Sequence, residues 1–273
     1  MGGRDVPYIS RFFFTLHPSM NLHYKHQGDG YPLIILHGLF GMSDNWFSLG
    51  KQFGENFSTY LVDQRNHGRS PHDKAFNYDV MAADLLDFMD EHFIESAHII
   101  GHSMGGKTAM TFAVKFPHKV GKLVVVDIAP KYYRPHHQEI LAALHAIPVH
   151  ELASRKEAEE VITERISDVG TAQFLLKNLY ARDEGGYDWR FNLPVISENI
   201  ESVGEALDEI YTFDKPTLFL RGEKSNYIKD ADIHQIEKHF PKSSVVTIEG
   251  AGHWINAEKP QLFYETVTGF LTK

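Results

Sequence analysis

Residues 98–108 read His98-Ile99-Ile100-Gly101-His102-Ser103-Met104-Gly105-Gly106-Lys107-Thr108, and the fold of the whole chain turns on how they are read. The apolar run 97–100 has the character of a short strand. From Met104 a helix-like segment runs through Met110 and Phe112 to Phe116, where Pro117 stops it. Strand, Gly-x-Ser-x-Gly, helix is the layout of a nucleophile elbow, which throws a serine out on a sharp turn. Such a turn crowds its neighbours, so residues without a Cβ flank it. The helix start behind the serine adds free N–H groups and the positive end of a dipole, both suited to a developing oxyanion.

From Gly101 to Thr108 the same letters spell G-x-x-x-x-G-K-T, a phosphate-binding loop between strand and helix. The apolar residues 123–126 and Asp127 even supply the strand and magnesium-binding aspartate that such a loop uses. That reading leaves His37-Gly38 and Gly250-Ala251-Gly252-His253 without a task, and it sets bulky His102 and Met104 where backbone must wrap a phosphate. The elbow reading covers all of these except Lys107, whose stem is expected to run out to solvent.

Outward from the elbow, strands and helices alternate. Residues 31–36 form a continuous apolar run, as in a strand buried on both faces, and end in His37-Gly38-Leu39-Phe40-Gly41. Residues 42–54 space Trp46, Phe47, Leu49 and Phe53 as a helix does; 58–62 read as a strand closing on Asp63; Val80, Met81, Leu85, Phe88 and Met89 make a helical stripe. This rhythm predicts a mostly parallel, doubly wound α/β sheet. From about 128 to 211 no strand is predicted, only helical stretches over 138–146, 153–166 and 171–180, broken at Pro148, Gly170 and Gly185-Gly186. Strands resume at 216–220 and 244–248, and a last helix covers 261–271. The expected organisation is a first core part at 20–130, an inserted helical cap at 131–211 and a second core part at 212–273. Residues 1–19 read either as an extension before a natural start at Met20 or as an edge strand through 12–16.

Composition narrows the function. A chain of 273 residues with 42% hydrophobic content buries one full-sized core. A net charge of -9 with no basic block argues against nucleic acid. The absence of cysteine removes disulfides and thiol nucleophiles and fits a reducing compartment. No apolar run approaches the roughly 20 residues of a membrane span. Phe12-Phe13-Phe14, near Arg4 and Arg11, is too short for a signal-peptide core. A soluble, cytoplasmic protein is expected.

A serine hydroxyl needs a base to take its proton, and the base needs a carboxylate to fix its tautomer. The base candidate among 17 histidines is His253, on a glycine-rich loop after the last strand, at the carboxyl edge where sites of open α/β sheets lie. The acid has several seats. Most α/β-hydrolases place it in a Gly-x-x-Asp turn after the strand 217–220, but here Gly222-Glu223-Lys224-Ser225 puts serine there. Asp127, ending the preceding strand, is favoured; Glu223, Asp230 and Asp232 stand behind it. The oxyanion donors are expected to be the backbone N–H groups of Leu39 and Met104. His37 is read as structural, and Asp63 and Arg65 as an ion pair bracing their loop. Phe40, Trp46, His102, Trp189, Phe191 and Trp254 are candidate pocket residues, and the cap aromatics serve equally well as cap core. Arg190 suits an anionic substrate tail less than solvent or an ion pair. His136-His137 and the pair His234, His239 lack a metalloprotease pattern, so no metal or other cofactor is expected.

The segments 37–45, 63–68, 101–107, 126–130, 189–192 and Gly252-His253-Trp254 with 257–260 together resemble the α/β-hydrolase esterases of the bacterial YbfF type. The resemblance runs from Met20 to the C-terminus and marks its subgroup by Asn66-His67. It implies a serine carboxylesterase acting on small to medium acyl esters, acyl-CoA thioesters among the possible substrates, with a helical cap and the acid at Asp127. Two other classes stay open: a C–C bond hydrolase or lyase on the same triad, and a binding module that keeps the fold without turnover.

Overall fold

The computed structural model describes residues 20–273, so the question of a strand within 12–16 lies outside the described residues. Six strands, β2 (Tyr31–Leu36), β3 (Phe57–Val62), β4 (Ala97–His102), β5 (Val120–Val126), β8 (Thr217–Gly222) and β9 (Ser243–Ile248), run parallel. A seventh, β1 (Tyr24–Gln27), pairs antiparallel with β3 at one edge, giving the order β1-β3-β2-β4-β5-β8-β9. The chain steps from β2 out to β3, then crosses back to β4 on the other side of β2. That reversal is the topological switch point, and its crevice lies beyond the carboxyl ends of β2 and β4.

The central strands are apolar throughout because both sheet faces are covered. Alternation sorts their side chains. Ile34, Leu36, Ile99, Leu123 and Val125 join the core under α2 (Tyr78–Glu91) and α3 (Met104–Lys115). Leu33, Ile35, Ile100, Val124 and Val126 join the opposite core, under α1 (Phe47–Phe53) and α11 (Pro260–Leu271). Each such side chain, 1% exposed or less, contributes about 1.5–3 kcal/mol of burial free energy. The helix α2 starts where Asn77 Oδ1 accepts the Val80 N–H at 3.0 Å. The helix α3 stops at Pro117, which cannot continue it.

Between β5 and β8 the chain leaves the sheet and builds a third apolar cluster. It contains α4 (Gln138–His145), α5 (Arg155–Thr163), α6 (Val169–Leu176), α7 (Leu193–Glu198) and α8 (Ile200–Val203). This cluster also takes Phe40, Phe76, Tyr78, Met81 and Met104 from the sheet domain, so it is seated on the crevice. The expectation of a strandless insertion is corrected here. A hairpin of β6 (Leu179–Ala181) and β7 (Tyr187–Trp189) turns through Gly185 and Gly186, both at positive φ. Strands of three residues are too short to display a period of two. The helices α9 (Ile233–His239) and α10 (Ile255–Glu258) were likewise not expected from the sequence.

Candidate active site

Ser103 sits between β4 and α3 with φ 53° and ψ -117°, a conformation that L-residues rarely adopt. Two glycines make room for it. A Cβ on Gly101 would lie 2.2 Å from the Gly105 carbonyl oxygen, and one on Gly105 would lie 2.4 Å from that of Leu36. The strained turn delivers Ser103 Oγ to 3.1 Å from His253 Nε2. His253 Nδ1 in turn donates to Asp127 Oδ2 at 2.7 Å, which leaves Nε2 as the acceptor facing the serine. Asp127 is fully buried at the end of β5, itself at φ 51°. Its Oδ1 accepts the Gly222 N–H at 3.0 Å, and its Oδ2 also accepts the Ser225 hydroxyl. Three donors therefore converge on the carboxylate and aim it at His253.

The loop after β2 faces the elbow. Its turn is closed by Gly41 N–H to the Gly38 carbonyl at 2.9 Å and pinned by His37. His37 Nδ1 donates to Gly38 O at 2.8 Å, while Nε2 accepts the Gln64 N–H at 3.0 Å. Burial lowers the pKa of His37, against the pull of Asp63, which keeps the ring neutral for this double role. Asn178 reaches down from the region above and donates to Phe40 O at 2.8 Å. Among the described residues, the N–H groups of Leu39 and Met104 have no acceptor. Such free donors beside a serine hydroxyl suit a tetrahedral oxyanion.

Ser103 and His253 open into a chamber of about 260 Å³ whose apolar walls include Phe40, Trp46, Ile140, Phe174, Leu175 and Trp254. His102 also lines it, donating from Nε2 to the His253 carbonyl at 2.9 Å. Burial, then the neighbouring His253, lower the pKa of His102 to about 3, so it stays neutral. A serine hydroxyl, an oriented histidine, free N–H groups and an apolar chamber make an arrangement able to transfer an acyl group.

The description "alpha/beta hydrolase fold" matches residues 31–260. The chain belongs to the α/β-hydrolase family. Esterase YbfF of Escherichia coli strain K12 is 36% identical over 248 residues, 90% of this chain and 95% of its own. An sn-1-specific diacylglycerol lipase of Danio rerio is 38% identical over 253 residues, 90% of this chain and 80% of its own. A solved marine microorganism esterase superposes with TM-score 0.90 at 44% identity, covering 92% of this chain and 100% of its own. Similarity of this extent marks the chain as a serine-dependent hydrolase. Among its described residues no helix is long and apolar enough to cross a membrane.

Several expected roles look different in this hydrolase. Trp189 and Phe191 stack at 5.1 Å with 11° between their planes, 5% and 2% exposed. They belong to the upper apolar cluster and are not among the chamber's lining residues. Arg65 does not pair with Asp63. It turns to α2 and grips Asp84 with Nε at 2.5 Å and Nη2 at 2.7 Å. Asp63 instead accepts the backbone N–H groups of Ser43 at 2.5 Å and Arg69 at 2.9 Å. Gly68, at φ 59°, permits that tight return, since a Cβ there would lie 2.2 Å from Asp63 Cγ. Lys107 does not reach solvent: it is 3% exposed. Arg190 lies over the Tyr180 ring at 4.9 Å. The other acid candidates are engaged elsewhere: Glu223 accepts the Gly250 N–H, Asp230 pairs with Arg221, and Asp232 pairs with Lys131.

Two contributors escaped the sequence reading. Ser225 was noted only as the residue where an aspartate usually stands, yet its hydroxyl is bonded to Asp127. Tyr227 stacks on the His253 ring at 4.0 Å and 18°, and His136 Nε2 is 2.8 Å from its hydroxyl. Nothing local marks a tyrosine for that position.

Proposed function

We propose that this hydrolase is a carboxylesterase that forms an acyl-enzyme on Ser103. Ser103 Oγ attacks the ester carbonyl as His253 Nε2 takes its proton, and Asp127 stabilises the imidazolium. The N–H groups of Leu39 and Met104 hold the oxyanion. His253 then hands the proton to the leaving alcohol, and water, activated in the same way, releases the acid. Residues 131–211 act as the cap that closes the acyl chamber. At about 30 Å³ per water-sized group, a chamber of this size takes on the order of eight carbons, a medium acyl chain.

The observation that carries this reading is the unbroken relay from Ser103 Oγ to His253 to Asp127, at 3.1 and 2.7 Å, opening onto apolar walls. Relatives named as an esterase and a diacylglycerol lipase fit an ester substrate. The test is a panel of p-nitrophenyl esters, acyl-CoA thioesters and β-diketones, with a fluorophosphonate label mapped by peptide sequencing. Ester turnover, with the label on Ser103 and both lost in Ser103→Ala, is expected. A label on another residue, or unchanged turnover in Ser103→Ala, overturns the assignment; cleavage of β-diketones alone would favour C–C bond hydrolysis.

A further inference from the structure

The residue of the elbow motif left without a task is Lys107. It lies one turn into α3, four residues after Ser103, and its ammonium ends in a buried seam. There Nζ donates to the carbonyl of Glu205 at 2.7 Å and to the carbonyl of Lys131. It also sits 5.1 Å from the centroid of the Tyr133 ring. These two carbonyls mark where the chain leaves the sheet domain and where it comes back. The outgoing and returning segments pair with each other: Tyr133 N–H donates to Gly204 O and Leu207 N–H to Pro130 O, each at 2.8 Å. They approach so closely that a Cβ on Gly204 would lie 2.1 Å from the Tyr133 oxygen. The segment between them, which carries Ile140, Phe174 and Leu175 of the chamber wall, leaves and rejoins the sheet domain through this two-stranded neck. Tyr133 and Gly204 of the neck also border a recess of about 30 Å³ that reaches Ser103.

We propose that Lys107 is a positioning residue: its single ammonium fastens both strands of the neck to the nucleophile's helix and so sets how the upper layer closes over a bound acyl chain. The proposal rests on Ser103 being the nucleophile. A lysine is a costly way to fill a seam. Burial, then the neighbouring Lys131, lower its pKa to about 7, with Glu205 pulling the other way. An apolar side chain would fill the space without that cost but would take the shared donor away from both carbonyls. A bridging cation earns its place by joining two segments that no single short side chain spans.

The test compares Lys107→Met with the parent chain on an acetyl and an octanoyl p-nitrophenyl ester, with amide hydrogen exchange at Tyr133 and Leu207 as a second readout. For the octanoyl ester KM is expected to rise about tenfold, the scale of one charge-assisted hydrogen bond, with kcat held. For the acetyl ester kcat/KM should change less than about threefold, because a short acyl group does not reach the wall beyond the neck. Exchange at both neck amides should quicken while the sheet amides stay protected. Equal losses on both esters, or no change on either, would overturn the proposal. Should Lys107→Met fail to fold, Gly204→Ala strains the same neck without removing the charge and is read by the same criteria. If Ser103→Ala retained turnover, the nucleophile reading would fall, whereas the exchange result would still decide whether Lys107 holds the neck.

Discussion

Exchanging Asp127 for Asn probes the relay at its most constrained point. Three donors converge on this carboxylate: the Gly222 N–H on Oδ1, and the Ser225 hydroxyl and His253 Nδ1 on Oδ2. In Asp127→Asn the fixed Gly222 N–H requires an oxygen opposite it, which turns the amide NH₂ toward Ser225 and His253. The Ser225 hydroxyl can rotate and accept. The imidazole can accept at Nδ1 only by carrying its proton on Nε2, and then it presents a donor, not a base, to Ser103. Loss of the working tautomer lowers kcat on the order of 10⁴-fold, about 5.4 kcal/mol at 1.36 kcal/mol per tenfold. KM should hold, since Asp127 is not among the residues lining the chamber. Steady-state hydrolysis of p-nitrophenyl butyrate, paired with the rate of fluorophosphonate labelling, reads both parameters. Adding Ser225→Asp to the variant returns a carboxylate next to the vacated seat and should recover on the order of tenfold. An Asp127→Asn enzyme within tenfold of its parent would refute the tautomer argument.

His67 is fully buried, and burial first, then the nearby His37, lower its pKa to about 3. The unfolded chain binds more protons below about 6.5, so this term of stability is whole above 6.5 and drains as pH falls toward 3; urea midpoints from pH 7 to 4 should drop, less steeply in His67→Gln. Gly105→Ala drives a methyl to 2.4 Å from a strand carbonyl that has little room to yield, so a fall in Tm of about 5 °C or more and loss of turnover are expected by calorimetry and ester assay. Ile140→Trp narrows the chamber from its upper wall and should cut the octanoyl-to-acetyl ratio of kcat/KM about tenfold; an unchanged ratio would mean that acyl chains lie elsewhere.

The strands and the elbow were legible because their causes are local. Buried parallel strands must be apolar along their length, and a serine at φ 53° needs glycines where its neighbours would otherwise collide. Illegible features depend on partners brought in by folding. Arg65 found Asp84 on α2, 19 residues away, and Lys107 found carbonyls 24 and 98 residues away. No periodicity in a single segment encodes such pairs. The same limit explains why the stack of Tyr227 on His253 went unseen.

The seat of the acid lies between these extremes, and strand register accounts for it. His102 of β4 pairs with Val126 of β5, so Ser103 and Asp127 are the next residues on neighbouring strands. Both leave the sheet at positive φ, and Ser103 N–H bonds to Val126 O at 3.0 Å. On the other flank Val126 pairs with Leu220 of β8, which brings Gly222 and Ser225 against the Asp127 carboxylate. The Ser225 hydroxyl and the His253 Nδ1 therefore meet on one oxygen, Asp127 Oδ2, between adjacent strand ends. A carboxylate at 225 would stand next to the seat that Asp127 holds, where the serine hydroxyl now bonds it. Serine in the usual aspartate position is thus not a gap in the relay. It is the complement that an acid on β5 requires, and it is why moving the carboxylate one strand over should return part of the activity that removing it from both abolishes.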